Sequence, residues 1–262
     1  MEALAAYLLL GALAGLAAGL LGIGGGLLIV PALLAIWQQG GPGGPWLMQM
    51  AVATSLASIV LTSLSSVYAH HRRGAVLWPQ VARLAPGILL GAGLGAMQAS
   101  ALPGAWLKSA FGVFELLVAA QMALRLRPRP HRRLPGGLGM GGAGVVIGWV
   151  SALMGIGGGT LTVPFLSYCQ VPMQKAVATS AACGLPIAVA GGLAYVAMGW
   201  NVAGLPAATL GFIHLPALLG VVTASVLLAP LGARWAHRLS SPALRRVFAL
   251  FLALLGLWML AG

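Results

Sequence analysis

The chain alternates long apolar runs with short polar or proline- and glycine-rich stretches. A helix that crosses a bilayer needs about 20 apolar residues. Runs of that order lie near 49–69, 84–101, 106–124, 174–198, 206–230 and 243–261, and each predicts a membrane helix. Two further runs, 3–37 and 138–168, are too long for one crossing, and each is broken by glycines. The first divides into 3–21 and 27–37, followed by a loop, QQGGPGGPW, at 38–46. None of the runs alternates apolar with polar residues, so a transmembrane β-barrel is excluded.

The two broken runs are copies of one another. Residues 19–34 read GLLGIGGGLLIVPALL and residues 152–167 read ALMGIGGGTLTVPFLS, at a constant offset of 133. Gly22, Gly24, Gly25 and Gly26 match Gly155, Gly157, Gly158 and Gly159, and Pro31 matches Pro164. AVATS recurs at 51–55 and 176–180, and Leu107, Lys108, Phe111 and Phe114 recur as Leu244, Arg245, Phe248 and Phe251. The pattern predicts an all-α polytopic membrane protein of two repeats, 1–124 and 138–262, joined by the basic linker 125–137. Each repeat holds one interrupted segment, re-entrant or broken, and three transmembrane helices. A glycine-interrupted segment in each half points to a transporter site near the bilayer midplane.

Composition strengthens this reading. Only 6% of residues are charged, against about 25% in soluble domains, and the mean hydropathy is +0.99. The net charge of +12 does not point to nucleic acid, because Lys and Arg stand between apolar runs, as in cytoplasmic loops of membrane proteins. If each interrupted segment crosses once, the 14 Lys and Arg split eight to six across the two faces. If each goes in and comes back, all but Lys108 fall on one face. The positive-inside rule favours the second arrangement. It places both termini outside the cytoplasm and gives the repeats inverted topology. MEALAAYLLL lacks a basic leader region and reads as a retained helix. Cys169 and Cys183 are too few for a disulfide framework and read as packing residues.

The paired GIGGG…VP segments, the paired ATS segments and the two halves of four apolar segments resemble the sulfite exporter TauE/SafE family of bacterial permeases. The resemblance covers essentially the whole chain. It implies a multi-pass protein of the bacterial plasma membrane that moves a small anion, with sulfur-containing anions such as sulfite and sulfonates as the family's associated substrates. No cofactor is expected, and the scarcity of acids and the lack of a metal cluster count against an enzyme.

The candidate chemistry fits an anion. Gly22, Gly24, Gly25 and Gly26, with Gly155, Gly157, Gly158 and Gly159, would expose backbone N–H groups ahead of half-helices starting near Leu27 and Thr160. The competing reading is close packing, as expected for Gly11, Gly15 and Gly19. No Lys-Ser/Thr follows either cluster, so a nucleotide P-loop is rejected. Thr54, Ser55, Thr179 and Ser180 would donate hydroxyls to an anion without fixed charge; alternatively they bond helix carbonyls. Glu115 is the one acid inside a span, and either carries a proton coupled to transport or bonds a neighbouring helix. His214, early in its predicted span, would bind the anion or shuttle a proton, or pack. His70 and His71 read as interfacial. No cluster has metal-ligand spacing. A carrier working by alternating access is the favoured function. A passive anion channel is the first rival, and a membrane-embedded enzyme or assembly factor the second.

Overall fold

The computed structural model describes residues 2–21, 25–124, 134–236 and 241–261. Gly22, Gly24 and residues 125–133 of the linker therefore lie outside the described residues. Ten helices follow in order: α1 (Glu2–Leu21), α2 (Gly26–Gly40), α3 (Leu47–His71), α4 (Trp78–Ala101), α5 (Gly104–Ala123), α6 (Gly137–Met154), α7 (Gly159–Tyr168), α8 (Met173–Gly199), α9 (Leu215–Ala236) and α10 (Ser241–Ala261). Proline sets several of the starts, since it fits a helix's first turn and lacks the N–H that a helix interior needs. Pro79 opens α4, and Pro103 and Pro172 stand immediately before α5 and α8.

Large apolar side chains face outward around an apolar core that also buries several polar groups. Leu9, Leu90, Leu117, Leu193, Leu227 and Leu254 are all exposed, while Thr54, Ser55, Glu115, Thr179 and Ser180 are buried. Water would penalise that arrangement, and a bilayer satisfies it. Among the described residues four helices, α3, α4, α6 and α8, are long and apolar enough to cross a membrane on their own, with shorter apolar stretches within α1, α2, α9 and α10.

The first helix of each half packs against the other half. α1 lies along α9, and α6 lies along α4. Small residues permit both approaches. Gly11 and Gly15 sit against the backbone of Val221 and Ser225, as expected of packing glycines, and Gly87, Gly91 and Gly95 sit against α6. α3 packs on α8, and α5 on α10.

Two features depart from the sequence reading. The run 206–230 is not one helix. A two-residue strand, β1 (Thr209–Leu210), pairs with β2 (Ile213–His214), and α9 begins only at Leu215. Gly211 takes a left-handed φ of 56° at the turn between the strands, a conformation glycine adopts freely. His214 is thus not inside a helix but immediately ahead of one. The second departure is α4, which begins six residues before the expected 84, at Trp78.

Candidate functional site

The glycine segments of the two halves touch. A Cβ on Gly26 would collide with the carbonyl of Gly155 and stand 2.9 Å from Cα of Ile156. Gly155 ends α6 in the left-handed conformation (φ 68°, ψ 28°), its N–H turned back toward the carbonyls of Ser151 and Ala152. That is the αL stop expected when a helix must end inside apolar sequence. Ser55, on α3, donates its hydroxyl to the carbonyl of Gly155 at 2.7 Å. Helix α7 restarts at Gly159 and runs for 10 residues, about 15 Å, half the thickness of a hydrocarbon core of about 30 Å.

The first interrupted segment folds back on itself. Trp37, near the end of α2, donates its indole N–H to the Tyr7 hydroxyl, near the start of α1, at 2.9 Å. A continuous helix would hold these residues about 45 Å apart. Gly25 lies beside α1 as well, its Cβ position 3.4 Å from Cβ of Ala14.

The two ATS segments make matching bonds across the halves. Thr54 accepts the backbone N–H of His214 at 3.0 Å, just before α9. Thr179 accepts the backbone N–H of Leu77 at 3.1 Å, just before α4. Each threonine therefore serves an N–H at the start of a helix in the opposite half. Accepting one hydrogen bond leaves each hydroxyl its own proton to donate. Ser55 is committed to Gly155, whereas the hydroxyl of Ser180 meets no partner among the described residues. Its carbonyl stands 2.7 Å from the Cβ position of Gly158.

Three further hydroxyls belong to the helices that flank the second glycine segment. Ser151, Thr160 and Thr162 are buried, and none has a hydrogen-bond partner among the described residues. The oxygen of Thr162 stands 3.4 Å from the Cβ position of Gly158. No backbone acceptor among the described residues serves the N–H groups of Gly157, Gly158 and Gly159. These are the unsatisfied donors that every helix start carries. Sequence reasoning missed Ser151, Thr160 and Thr162. The signal was present, for the repeat aligns them with Ala18, Leu27 and Ile29, polar residues in one copy where the other is apolar.

Glu115 makes no hydrogen bond to this crossing, and His214 is tied to it only through its backbone N–H, which Thr54 accepts. Glu115 is fully buried on α5, and neither carboxyl oxygen has a partner among the described residues. One turn earlier, Gly112 lies against the carbonyl of Gly256 on α10. The ring of His214 is edge-on to Tyr7 and Trp37. Its Nδ1 accepts the N–H of Ala217 at 3.3 Å, capping α9. That use is structural. Among the described residues no group of His, Cys, Asp and Glu could hold a metal ion.

The chain is similar to known proteins over almost its whole length. The family model for sulfite exporter TauE/SafE matches residues 7–259. A probable membrane transporter protein of Haemophilus influenzae is 35% identical over 250 residues, covering 94% of this chain and 93% of that protein. Another of the same description, from Methanocaldococcus jannaschii, is 29% identical over 263 residues, covering 97% of this chain and 94% of its own. No solved structure matches. The glycine segments at the crossing fall within the matched residues, and the chain belongs to the sulfite exporter TauE/SafE family of membrane transporters.

Proposed function

We propose that this transporter carries a small anion, sulfite or a related sulfur oxyanion, across the plasma membrane by alternating access. The repeats 1–124 and 138–262 have inverted topology, and the basic linker 125–137 and both termini take the sides that the positive-inside rule gives them. The fold-back of α1 and α2 supports this arrangement, because an in-and-out segment leaves each half an odd number of crossings.

The observation that carries the reading is the crossing of the two interrupted segments, with buried hydroxyls and free N–H groups on the second. An anion seated there meets the Gly157–Gly159 amides, the hydroxyls of Thr160, Thr162, Ser151 and Ser180, and the partial positive charge of a helix start. Gly25 and Gly26 form the facing wall, and Thr54, Ser55 and Thr179 hold the two walls in register. All of these donors are neutral. Neutral donors bind an anion weakly enough to release it, which a carrier requires. The α3–α8 contact is the seam about which one half rocks on the other. Glu115 is the candidate proton carrier, since an unpartnered carboxyl inside a membrane protein is expensive.

Purified protein in liposomes tests the reading. Sulfite uptake is expected to saturate with concentration and to follow its gradient. An ohmic current that never saturates would make the protein a channel instead.

A further inference from the structure

Gly184, on α8, presents a bare face to two hydrogen-bonding atoms. Apart from its chain neighbours and the backbone of its own helix, only two heavy atoms come within 4 Å of its Cβ position. They are the hydroxyl oxygen of Ser63, at 3.2 Å, and the backbone nitrogen of Gly158, at 3.5 Å. Ser63 stands on α3, and Gly158 immediately precedes α7. The N–H of Gly158 has no backbone acceptor among the described residues. Ser63 is only 8% exposed, and its hydroxyl makes no hydrogen bond to a described residue. Its neighbours on α3 behave otherwise. Ser58 donates to the carbonyl of Ser55 at 2.7 Å, and Thr62 to that of Ser58 at 3.2 Å. Such carbonyls are the ordinary outlet for a hydroxyl inside a helix, and Ser63 does not use one.

The repeat shows that this opening is particular to the second half. The alignment that matches Ser55 with Ser180 also matches Ile59 with Gly184 and Ser63 with Ala188. Ile59 fills its place, with a side-chain carbon 3.6 Å from the Cβ position of Gly157, whereas Gly184 leaves its place empty of side chain. Close backbone packing does not account for the glycine. A Cβ on Gly158 would press on the Ser180 carbonyl at 2.7 Å, but one on Gly184 would need only a small turn of the Ser63 hydroxyl. Glycine is also a poorer helix former than alanine. Helix stability and packing would both accept a methyl group at 184, so the bare face serves something else.

We propose that the face of Gly184 is the subsite for one oxygen of the carried anion, with the Ser63 hydroxyl and the Gly158 N–H as its donors. The inference rests on the anion-transport reading and extends its site to a residue of the first repeat. Polar atoms border the subsite, so it takes an oxygen in preference to an alkyl carbon and favours a compact oxyanion. Ser63 belongs to one repeat and Gly158 to the other, so one ligand joins the two. A ligand shifts a conformational equilibrium only by binding one arrangement better than the other. A contact that spans the repeats is lost when they rock apart, and this oxygen supplies that difference.

The test titrates sulfite into the full-length protein in phosphatidylcholine nanodiscs and reads binding from the rise of the thermal midpoint. Sulfite flux in liposomes is measured in parallel. Gly184→Ala fills the subsite with a methyl group, and Ser63→Ala removes one donor. Each is expected to weaken sulfite binding about tenfold, the worth of one hydrogen bond to a charged group, while the midpoint without sulfite holds. Ser63→Thr keeps the hydroxyl and is expected to bind sulfite as the wild type does. Wild-type affinity in both alanine variants, with wild-type flux intact, would overturn the subsite and leave the transport reading standing. A lowered midpoint with unchanged affinity would make Ser63 and Gly184 packing residues and overturn it equally. Binding that depends on both residues in a protein that moves no sulfite would support the subsite and sink the transport reading.

Discussion

The two interrupted segments share a sequence and differ in what they can bind. GIGGG and the following VP are common to both. In the first copy α2 continues with Leu27, Leu28, Ile29 and Val30, all buried, and its far end is tied to α1 by the Trp37–Tyr7 bond. In the second, α7 is five residues shorter and continues with Thr160 and Thr162, buried and unpartnered. Burying a hydroxyl without a partner costs about 1–3 kcal/mol. An apolar side chain would remove that cost, and the first copy shows that the backbone accepts one. On the proposed reading, this contrast puts the polar seat in the second half and leaves walls and anchoring to the first.

The largest effect is expected where the glycine segments pack against backbone, within the second half at Gly158 and between the halves at Gly26. A Cβ on Gly158 meets the Ser180 carbonyl at 2.7 Å, and one on Gly26 meets the backbone of Gly155 and Ile156. Backbone cannot yield as a side-chain tip does, so Gly158→Leu and Gly26→Leu are expected to cost about 3 kcal/mol, the upper end of the usual range for overpacking, and to reduce folded protein sharply. Size-exclusion profiles in detergent measure this. Gly157 has room for a methyl group, the nearest atom lying 3.6 Å away. Normal folding and transport in Gly26→Leu would show that the two segments do not press backbone to backbone.

A smaller loss is expected at the threonines that tie the halves. Thr54→Val and Thr179→Val keep the shape and strand the N–H groups of His214 and Leu77. Each is expected to lower stability by about 1–3 kcal/mol, equally for the two sites, as thermal unfolding would read. A loss at only one site would break the equivalence of the two cross-half bonds.

Glu115→Gln is expected to change the folded protein least, since the amide has the carboxyl's shape. If Glu115 carries the coupled proton, sulfite flux in the variant loses its response to an imposed pH step while sulfite affinity is kept. A response equal to that of the wild type would make Glu115 a structural residue.

Much of this architecture was legible in the chain. The repeat, the helix order and the glycine breaks follow from apolar run length and from two matched motifs. The hairpin at 209–214 was not legible, because Leu210, Phe212 and Ile213 are as apolar as a helix; only Pro206 and Gly211 mark the break. The exchange of α1 and α6 between the halves was hidden for a different reason. It depends on pairings far apart in sequence, which Gly11, Gly15 and Gly87 permit but do not specify. The roles of Thr54 and Thr179 were half visible: their recurrence marked them, while their backbone partners in the opposite half could not be inferred. Thr160 and Thr162 were readable all along, in the two positions where GGGTLTVP departs from GGGLLIVP.

The most direct measurement is sulfite flux in liposomes by the wild type and by Thr162→Ile, which copies Ile29 of the first half. Replacing an unpartnered buried hydroxyl by an apolar group is nearly neutral for folding, so the thermal midpoint should hold. The expected result is saturable flux in the wild type and a loss of about tenfold in the variant, the value of roughly one hydrogen bond to a charged group. Wild-type flux preserved in Thr162→Ile, at equal protein in the membrane, would contradict a seat built on the second glycine segment.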